Sequence, residues 1–267
     1  MSKKRLIVLA TVIYIFLEGF IIEPNSVVIK KYQVKNLLLS GTKIVFLSDF
    51  HLKNNNNNTR KRLNKIVGMV KDEKPNLVLL GGDYIQGPFL DKNLLETFSM
   101  KIATIGIPVY AVLGDSDLEA NGRSVKSVLN LNGIRVLDNE NKKINLNNRY
   151  VYIVGISDLK RSRPNISKAM PNSTYQKIVI THNPDIYYDI ISNVALILAG
   201  HTHGGQFVIP MTPPLFVDSK YGSKFASGLI EDSKNNKMII SKGLGTTGVI
   251  PMRFNCKPEI VVVEFVE

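Results

Sequence analysis

The chain has 267 residues, 44% of them hydrophobic, so it is long enough to bury one large core or two small ones. Its 34 Lys and Arg residues exceed its 22 Asp and Glu residues, and the formal net charge of +12 favours an anionic partner such as phosphate or lipid head groups. The single cysteine excludes an intrachain disulfide and a cysteine-rich zinc site, and the lack of any nucleic-acid-reading motif argues against nucleic acid as a partner.

The chain begins with a basic cluster at residues 3–5, followed by an apolar stretch from Leu6 to Ile22 whose one charged residue is Glu18. As a helix this stretch extends about 25 Å, near the lower limit for crossing a bilayer. No small-residue cleavage motif follows, so we expect residues 1–25 to be a retained N-terminal anchor in the cell membrane. Basic residues on both flanks leave the membrane face open. A buried helix is the alternative, and Glu18 favours it because a carboxylate in hydrocarbon is costly.

We expect residues 26–42 to form an extended linker and residues 43–267 to form the main domain. From residue 43 onwards, aliphatic strands end in polar residues and alternate with helical patterns. The first strand leads into Asp49 and His51, and apolar residues at helical spacing predict a helix from about residue 59 to 73. The next two strands lead into Asp83 and Asp115.

Two later strands lead into histidine, the first into His182 and the second into His201 and His203. Continuous apolar runs are typical of strands buried on both faces, which predicts an α/β architecture with helices covering the sheets. The last apolar segments, 237–243 and 259–266, have no helical pattern between them. We therefore expect a second, more antiparallel sheet in the C-terminal half.

All 4 histidines of the chain follow aliphatic strands, as do three aspartates, whereas histidines of an ordinary core would be scattered. Imidazole and carboxylate ligands without thiolate suit Mn, Fe or Zn. Seven ligands are too many for one ion. Divided between two ions that share a carboxylate, they predict a dinuclear centre with metals about 3.5 to 4 Å apart, which can clamp both the attacking and the leaving oxygen of a phosphate ester.

The order and spacing of these residues resemble the motifs of the calcineurin-like metallophosphoesterases. The matching motifs are D-x-H at 49–51, G-D at 82–83, a variant of G-N-H-D at 114–117, the separate His182, and G-H-x-H at 200–203. The C-terminal segments further resemble a membrane-associated bacterial branch that includes broad phosphodiesterases and UDP-diacylglucosamine pyrophosphatases. The resemblance implies an αββα sandwich, in which two mixed sheets are flanked by helices.

The resemblance also implies a role for each ligand. One divalent ion would be bound by Asp49, His51 and His203, the other by Asp115, His182 and His201, with Asp83 bridging the two. A hydroxide held by the ions would attack phosphorus in line. The implied activity is that of a phosphodiesterase or pyrophosphatase. We expect a phosphate-ester substrate at the membrane surface, lipid-linked or nucleotide-lipid-linked, such as UDP-diacylglucosamine.

One motif departs from the family pattern, because Asp115 and Ser116 stand where the family has Asn and His. Asp115 can still bind a metal, but it adds a negative charge. Serine is a poor acid, whereas a histidine near the leaving group contributes about 10² to 10⁴ in rate. Ser116 and Asp117 are the candidate catalytic residues. A metal-binding scaffold with weakened catalysis is the alternative function.

Arg253, near the C-terminus, is the candidate for binding substrate. A guanidinium can bind a phosphate through two parallel hydrogen bonds. A structural ion pair is the alternative role for this residue.

Overall fold

The computed structural model of the chain describes residues 2–190, 194–233 and 235–267, and within them two six-stranded mixed sheets pack face to face. The first sheet consists, from edge to edge, of β1 (Val28–Lys35), β12 (Glu259–Val266), β2 (Lys43–Leu47), β3 (Leu77–Leu80), β4 (Val109–Ala111) and β5 (Arg135–Val136). The second sheet consists of β10 (Gly228–Glu231), β11 (Lys237–Ile240), β9 (Leu196–Ala199), β8 (Gln176–Thr181), β7 (Arg149–Ile156) and β6 (Glu140–Leu146).

Helices cover the outer face of each sheet. The first sheet is covered by α2 (Asn57–Asp72), α3 (Lys92–Ala103) and α5 (Gly122–Leu131), with the short α4 (Asp115–Glu119) between the last two. The second sheet is covered by α6 (Ile166–Ala169) and by 3-10 turns at Pro184–Asp189 and Gly222–Phe225. The predicted helix at 59–73 is confirmed as α2, whose first turn is capped by the Asn56 side chain accepting from the Thr59 N–H at 2.9 Å.

The inner strands of the sandwich are buried on both faces, as their continuous apolar runs predict. In β3, Val78 and Leu80 pack against the outer helices, while Leu77 and Leu79 pack against the second sheet. A third cluster lies beyond the second sheet, where Phe225 and Ile186 contact its outer face. The predicted α/β class and αββα sandwich are therefore confirmed.

The second sheet is the more antiparallel one, as predicted, but only at its edges, and the prediction that it includes the segment 259–266 is wrong. Strands β7, β8, β9 and β11 run parallel, and only the edge strands β6 and β10 are antiparallel to their neighbours. The final strand β12 joins the first sheet, where it is parallel to β1 and antiparallel to β2. The helix-free segment before β12 crosses from one sheet to the other instead of making a hairpin.

The segment expected as a linker also belongs to the sandwich. Strand β1 lies within residues 26–42 and pairs with β12 along all eight of its residues. Its main chain is extended, as expected, but the ladder to β12 makes it an edge strand of the first sheet. The folded unit therefore extends N-terminally beyond residue 43.

The N-terminal apolar helix projects from the sandwich. Helix α1 (Lys3–Leu17) continues through a π-helical turn and a 3-10 turn to Asn25. This 23-residue span has a mean hydropathy of 2.2 and is long and apolar enough to cross a membrane. None of the residues in α1 is buried, contrary to the alternative of a core helix. Glu18 lines a cavity between the helix and the domain, together with Lys30 and Lys242.

Candidate dinuclear metal centre

The predicted ligands converge because the strands that carry them are parallel. Strands β2, β3 and β4 run parallel in the first sheet, as do β8 and β9 in the second. Polar residues that follow parallel strands meet at the same edge of the sheet. The seven residues that follow these strands, and that now lie together, are Asp49, His51, Asp83, Asp115, His182, His201 and His203.

A first group of three possible ligands consists of Asp49, His51 and His203, all of them buried. The Nε2 atoms of the two histidines lie 2.9 Å apart. His203 Nε2 lies 3.5 Å from Asp49 Oδ1. These three residues are the predicted ligands of the first ion.

A second group consists of Asp115, His182 and His201. Asp115 Oδ1 lies 3.1 Å from His182 Nε2 and 3.5 Å from His201 Nδ1. The two imidazole nitrogens are 3.2 Å apart. These three residues are the predicted ligands of the second ion.

Asp83 lies between the two groups. Its Oδ2 atom is 3.3 Å from His51 Nε2 and 3.5 Å from His182 Nε2, so one carboxylate oxygen faces a histidine of each group. The main-chain N–H and the hydroxyl of Ser116 both donate to this carboxylate, at 2.9 and 3.0 Å. The position suits a bridging ligand.

The geometry of the donors fits two divalent ions. Ligands about 2.0 to 2.1 Å from one ion and at right angles to each other lie about 2.8 to 3.0 Å apart, close to the nitrogen separations of 2.9 and 3.2 Å in the two groups. His182 donates its Nδ1–H to the Gly81 carbonyl at 2.8 Å, which leaves the Nε2 lone pair directed into the site. His201 directs Nδ1 into the site, and its Nε2 lies 3.5 Å from Asp218 Oδ2.

The main chain at the site is strained. Five of these residues have a left-handed backbone despite carrying side chains: Asp49 (φ 55°), His51 (45°), Asp83 (57°), His201 (74°) and His203 (52°). Each such residue costs about 1 to 3 kcal/mol, and strain of this kind clusters at functional sites. Glycine is required nearby, since a Cβ at Gly114 would collide with the Asp83 carboxylate and one at Gly200 with that of Asp49.

The two groups differ in their electrostatics. Burial lowers the pKa of His51 to about 4, and burial with the nearby His51 and Arg253 lowers the pKa of His203 well below its ordinary value. Burial has the same tendency at His182, but the Asp83 and Asp115 carboxylates outweigh it and raise the pKa of His182 well above its ordinary value. The imidazoles of the first group are thus neutral. In the second group, the carboxylates around His182 favour binding of a proton or a metal cation at its imidazole.

Asp117 differs from the catalytic role predicted for it. Its carboxylate accepts main-chain N–H groups from Asp83 (2.7 Å), Tyr84 (2.9 Å) and Gly114 (3.0 Å). The side chain is fully buried, and burial raises its pKa to about 6. Asp117 therefore holds together the two loops that present Asp83 and Asp115, and we assign it a positioning role.

Arg253 lies behind His203, with one guanidinium nitrogen 3.3 Å from His203 Nδ1, and its other bonds go mainly to main-chain carbonyls. The side chain is fully buried, and its guanidinium donates to the carbonyls of Lys242 (2.7 Å), Gly245 (2.6 and 2.9 Å) and Cys256 (3.0 Å). Neither the predicted contact with substrate nor the alternative ion pair describes these bonds. Arg253 instead ties together the loop that passes behind His203.

Asp218 is a site residue that the sequence reasoning missed. It lies in a loop far from any strand end, and it contacts both His201 and the Lys160 ammonium group. A cavity of about 480 Å³ opens beside it, lined also by His201, His203, Leu215 and Phe216. The signal available in the sequence was its place soon after the G-H-x-H motif.

Fold and site together define a class of protein, the metal-dependent phosphoesterases built as αββα sandwiches with ligands at one edge. The sequence pattern of the family described as calcineurin-like phosphoesterase matches residues 42–205, more than half of the chain. The chain belongs to the calcineurin-like phosphoesterase family.

Two bacterial relatives match this chain over most of their own length, and a third relative matches over little more than half of its length. An uncharacterized metallophosphoesterase of Aquifex aeolicus is 31% identical over 250 residues, covering 88% of this chain and 90% of the relative. Phosphodiesterase YaeI of Escherichia coli is 29% identical over 239 residues, covering 84% and 82%. A Danio rerio transmembrane protein with metallophosphoesterase domain is 27% identical over 257 residues, covering 89% of this chain and 56% of the relative.

Proposed function

We propose that the protein hydrolyses phosphodiester or pyrophosphate bonds of lipid-linked or nucleotide-lipid substrates, such as UDP-diacylglucosamine, with two divalent ions chosen from Mn, Fe and Zn. The observation that carries the proposal is the pair of three-residue groups joined through Asp83. When bound, two such ions supply an activated water and neutralise charge on the phosphate. The relative YaeI, named a phosphodiesterase, supports the same reaction type.

The chain's own residues hold this site in shape. Asp83 offers one oxygen to both groups, and Ser116 fixes that carboxylate through two hydrogen bonds. Asp117 binds the main chain on either side, so the two loops cannot separate without breaking buried hydrogen bonds. The reacting phosphate would enter through the cavity beside His201 and His203.

The position of Ser116 favours particular substrates. Its hydroxyl donates to Asp83, so it is engaged in holding the bridging carboxylate. Serine is also a poor proton donor to a leaving group. The rate should therefore depend on how well the leaving group departs as an anion, which favours pyrophosphates and aryl diesters over simple alkyl monoesters.

Helix α1 would hold the enzyme at the cell membrane. Its span is long and apolar enough to cross a bilayer, and its surface is exposed along the whole of α1. A lipid-linked substrate is concentrated at the same surface. The relative from Danio rerio, named a transmembrane protein, supports this placement.

The test is elemental analysis of purified full-length protein, followed by a hydrolysis screen. Nucleotide-lipid pyrophosphates, phospholipids and aryl diesters would each be assayed with Mn, Fe, Zn and Mg. We expect about two transition-metal ions per chain and turnover of pyrophosphates or diesters. Protein that binds metal but turns over none of these esters would support the scaffold alternative, and protein without bound transition metal would overturn both.

A further inference from the structure

Two loops beside the candidate site expose apolar side chains. The first runs from residue 204 to 217 and the second from 244 to 252, and neither contains a charged residue. We call the five most exposed apolar residues of these loops the apolar rim, which consists of Met211, Leu215, Phe216, Val249 and Ile250. Met211 and Val249 are completely exposed, and Phe216 is 84% exposed. A cluster of this kind on a protein surface marks a contact with a partner or a membrane.

The two loops form one unit that contacts the N-terminal helical span. The Gln206 side chain bonds to both main-chain groups of Thr247, at 2.9 and 3.0 Å, which joins the loops. The second loop then passes against the helical span, where the Arg253 N–H donates to the Gly19 carbonyl at 2.9 Å. Met252 fills the space above Gly19.

The length of the apolar stretch indicates the depth at which these loops lie relative to the hydrocarbon core of a bilayer. Leu6 to Ile22 extends about 25 Å as a helix, less than the hydrocarbon thickness of about 30 Å. Both ends of a span that short lie at the hydrocarbon boundary, and Gly19 lies less than one helical turn from the end at Ile22. The loop bound to Gly19 therefore lies at the same boundary.

The charges around this region complement an anionic lipid surface. A cavity of about 760 Å³ between the helical span and the domain is lined by Lys30, Lys242 and Lys257. Two of its acids are already engaged, since Glu23 accepts from the main chain of Asn255 and Glu259 from that of Lys242. Lysines near a membrane surface attract anionic head groups.

We propose that the apolar rim inserts into the membrane beside the helical anchor, as a second contact that places the mouth of the catalytic cavity at the lipid surface. Leu215 and Phe216 belong to the rim and also line the cavity that contains His201 and His203. A lipid substrate can then present its phosphate to the site while its acyl chains remain in the bilayer. This inference rests on the proposed function and adds how the substrate is reached.

The chain contains no tryptophan, which allows a direct test. Full-length Met211→Trp and Val249→Trp variants would be reconstituted in vesicles containing anionic lipid and lipids with quenchers at known depth. Phe16→Trp, within α1, is the positive control. Leu131→Trp is the matched control, because Leu131 is 82% exposed but ends α5 before β5 begins, at the sheet edge opposite the candidate site.

We expect lipid quenchers to reduce emission from the two rim positions and from Phe16→Trp, and to leave emission from Leu131→Trp unchanged. Rim positions that behave like Leu131→Trp while Phe16→Trp is quenched would overturn the inference. Rim emission that responds to protein concentration in detergent, but not to lipid quenchers, would make the rim a contact between copies and would also overturn it.

Turnover separates this inference from the proposed function. The double variant Met211→Ser, Val249→Ser should lose about tenfold in kcat/KM on a lipid-linked ester in vesicles, because two apolar side chains no longer enter lipid. Its rate on a soluble aryl diester should match wild type. Quenching without hydrolysis of any ester would contradict the proposed function alone, whereas normal hydrolysis of both substrates by the double variant would contradict the inference alone.

Discussion

The two ligand groups of the candidate centre differ in how deeply they are buried. Asp49, His51 and His203 are all buried, and their imidazoles are held neutral by low pKa values. In the second group, the Asp115 side chain is 24% exposed and an exposed carboxylate, Asp218, stands behind His201.

The departures from the family motif, Asp115 and Ser116, both fall on the more accessible side. We infer that the first group secures metal binding, while the second group determines which substrates and leaving groups are accepted. A change in the first group should thus affect retention of metal, and a change around the second should affect which esters are cut.

Removal of Asp83 should affect both groups at once, because its carboxylate faces a histidine of each. We expect Asp83→Ala to lose both ions and at least about 10³-fold in activity, since several kcal/mol of charge stabilisation depends on them. Metal content by elemental analysis and turnover of an aryl diester measure the effect. Asp72→Ala, an exposed carboxylate on α2, is the matched control and should resemble wild type.

A variant that keeps one ion would show that Asp83 is not shared between the groups. Thermal unfolding of Asp83→Ala with and without added manganese distinguishes loss of ligands from loss of fold. Stabilisation by manganese in wild type, but not in the variant, is the expected pattern.

Ser116→His tests whether the second group determines how the rate depends on the leaving group. A histidine at this position supplies the missing proton donor, so poor leaving groups should gain roughly 10² in rate, while good leaving groups change little. Rates on a series of diesters with alcohols of increasing pKa measure the slope for each protein. Ser116→Ala, which removes only the hydrogen bond to Asp83, is the control. An identical slope in wild type and Ser116→His would contradict the leaving-group argument.

The convergence of the seven candidate ligands could be predicted from the sequence because they obey one simple rule. Each predicted ligand follows a strand of continuous apolar residues, and parallel strands bring such residues to one edge. His182 and Asp115, separated by 67 positions in the chain, meet at 3.1 Å because β4 and β8, in the two packed sheets, end at the same edge of the sandwich. The same apolar runs predict burial on both faces and hence the sandwich.

The features that the sequence did not reveal depend on contacts between distant loops. Arg253 resembles a phosphate-binding residue until the carbonyls of the loop around Gly245 are seen to surround it. Asp218 comes from a loop without a periodic pattern, and its contact with His201 follows only from the path of that loop. Strand β1 requires a partner, β12, from the opposite end of the chain.

We expect the two ions to be released at different pH values as the pH is lowered. The imidazoles of the first group stay neutral down to a pKa of about 4 for His51, so a metal there displaces no proton from them at milder pH. His182 has a raised pKa, so it is protonated in the metal-free protein, and each pH unit below that pKa weakens the second ion's binding about tenfold. Dialysis at steps from about pH 8 to about pH 5, followed by elemental analysis, should show the second ion leaving first. Simultaneous loss of both ions would contradict the assignment.

The smallest expected effect concerns Asp218, which supports His201 from outside the site. A carboxylate that orients a ligating histidine is typically worth about 10- to 100-fold in metal affinity. The Asp218 side chain is 64% exposed and its Oδ2 lies 3.5 Å from His201 Nε2, so Asp218→Asn should fall at the low end, about tenfold. Titration of activity with manganese measures this shift in the second ion alone. Lys160→Met is the matched control, because it removes the ion-pair partner of Asp218 while leaving the carboxylate beside His201. Unchanged manganese binding in Asp218→Asn would show that Asp218 has no part in holding the second ion, and equal weakening in both variants would show that Asp218 acts only when its ion pair with Lys160 is intact.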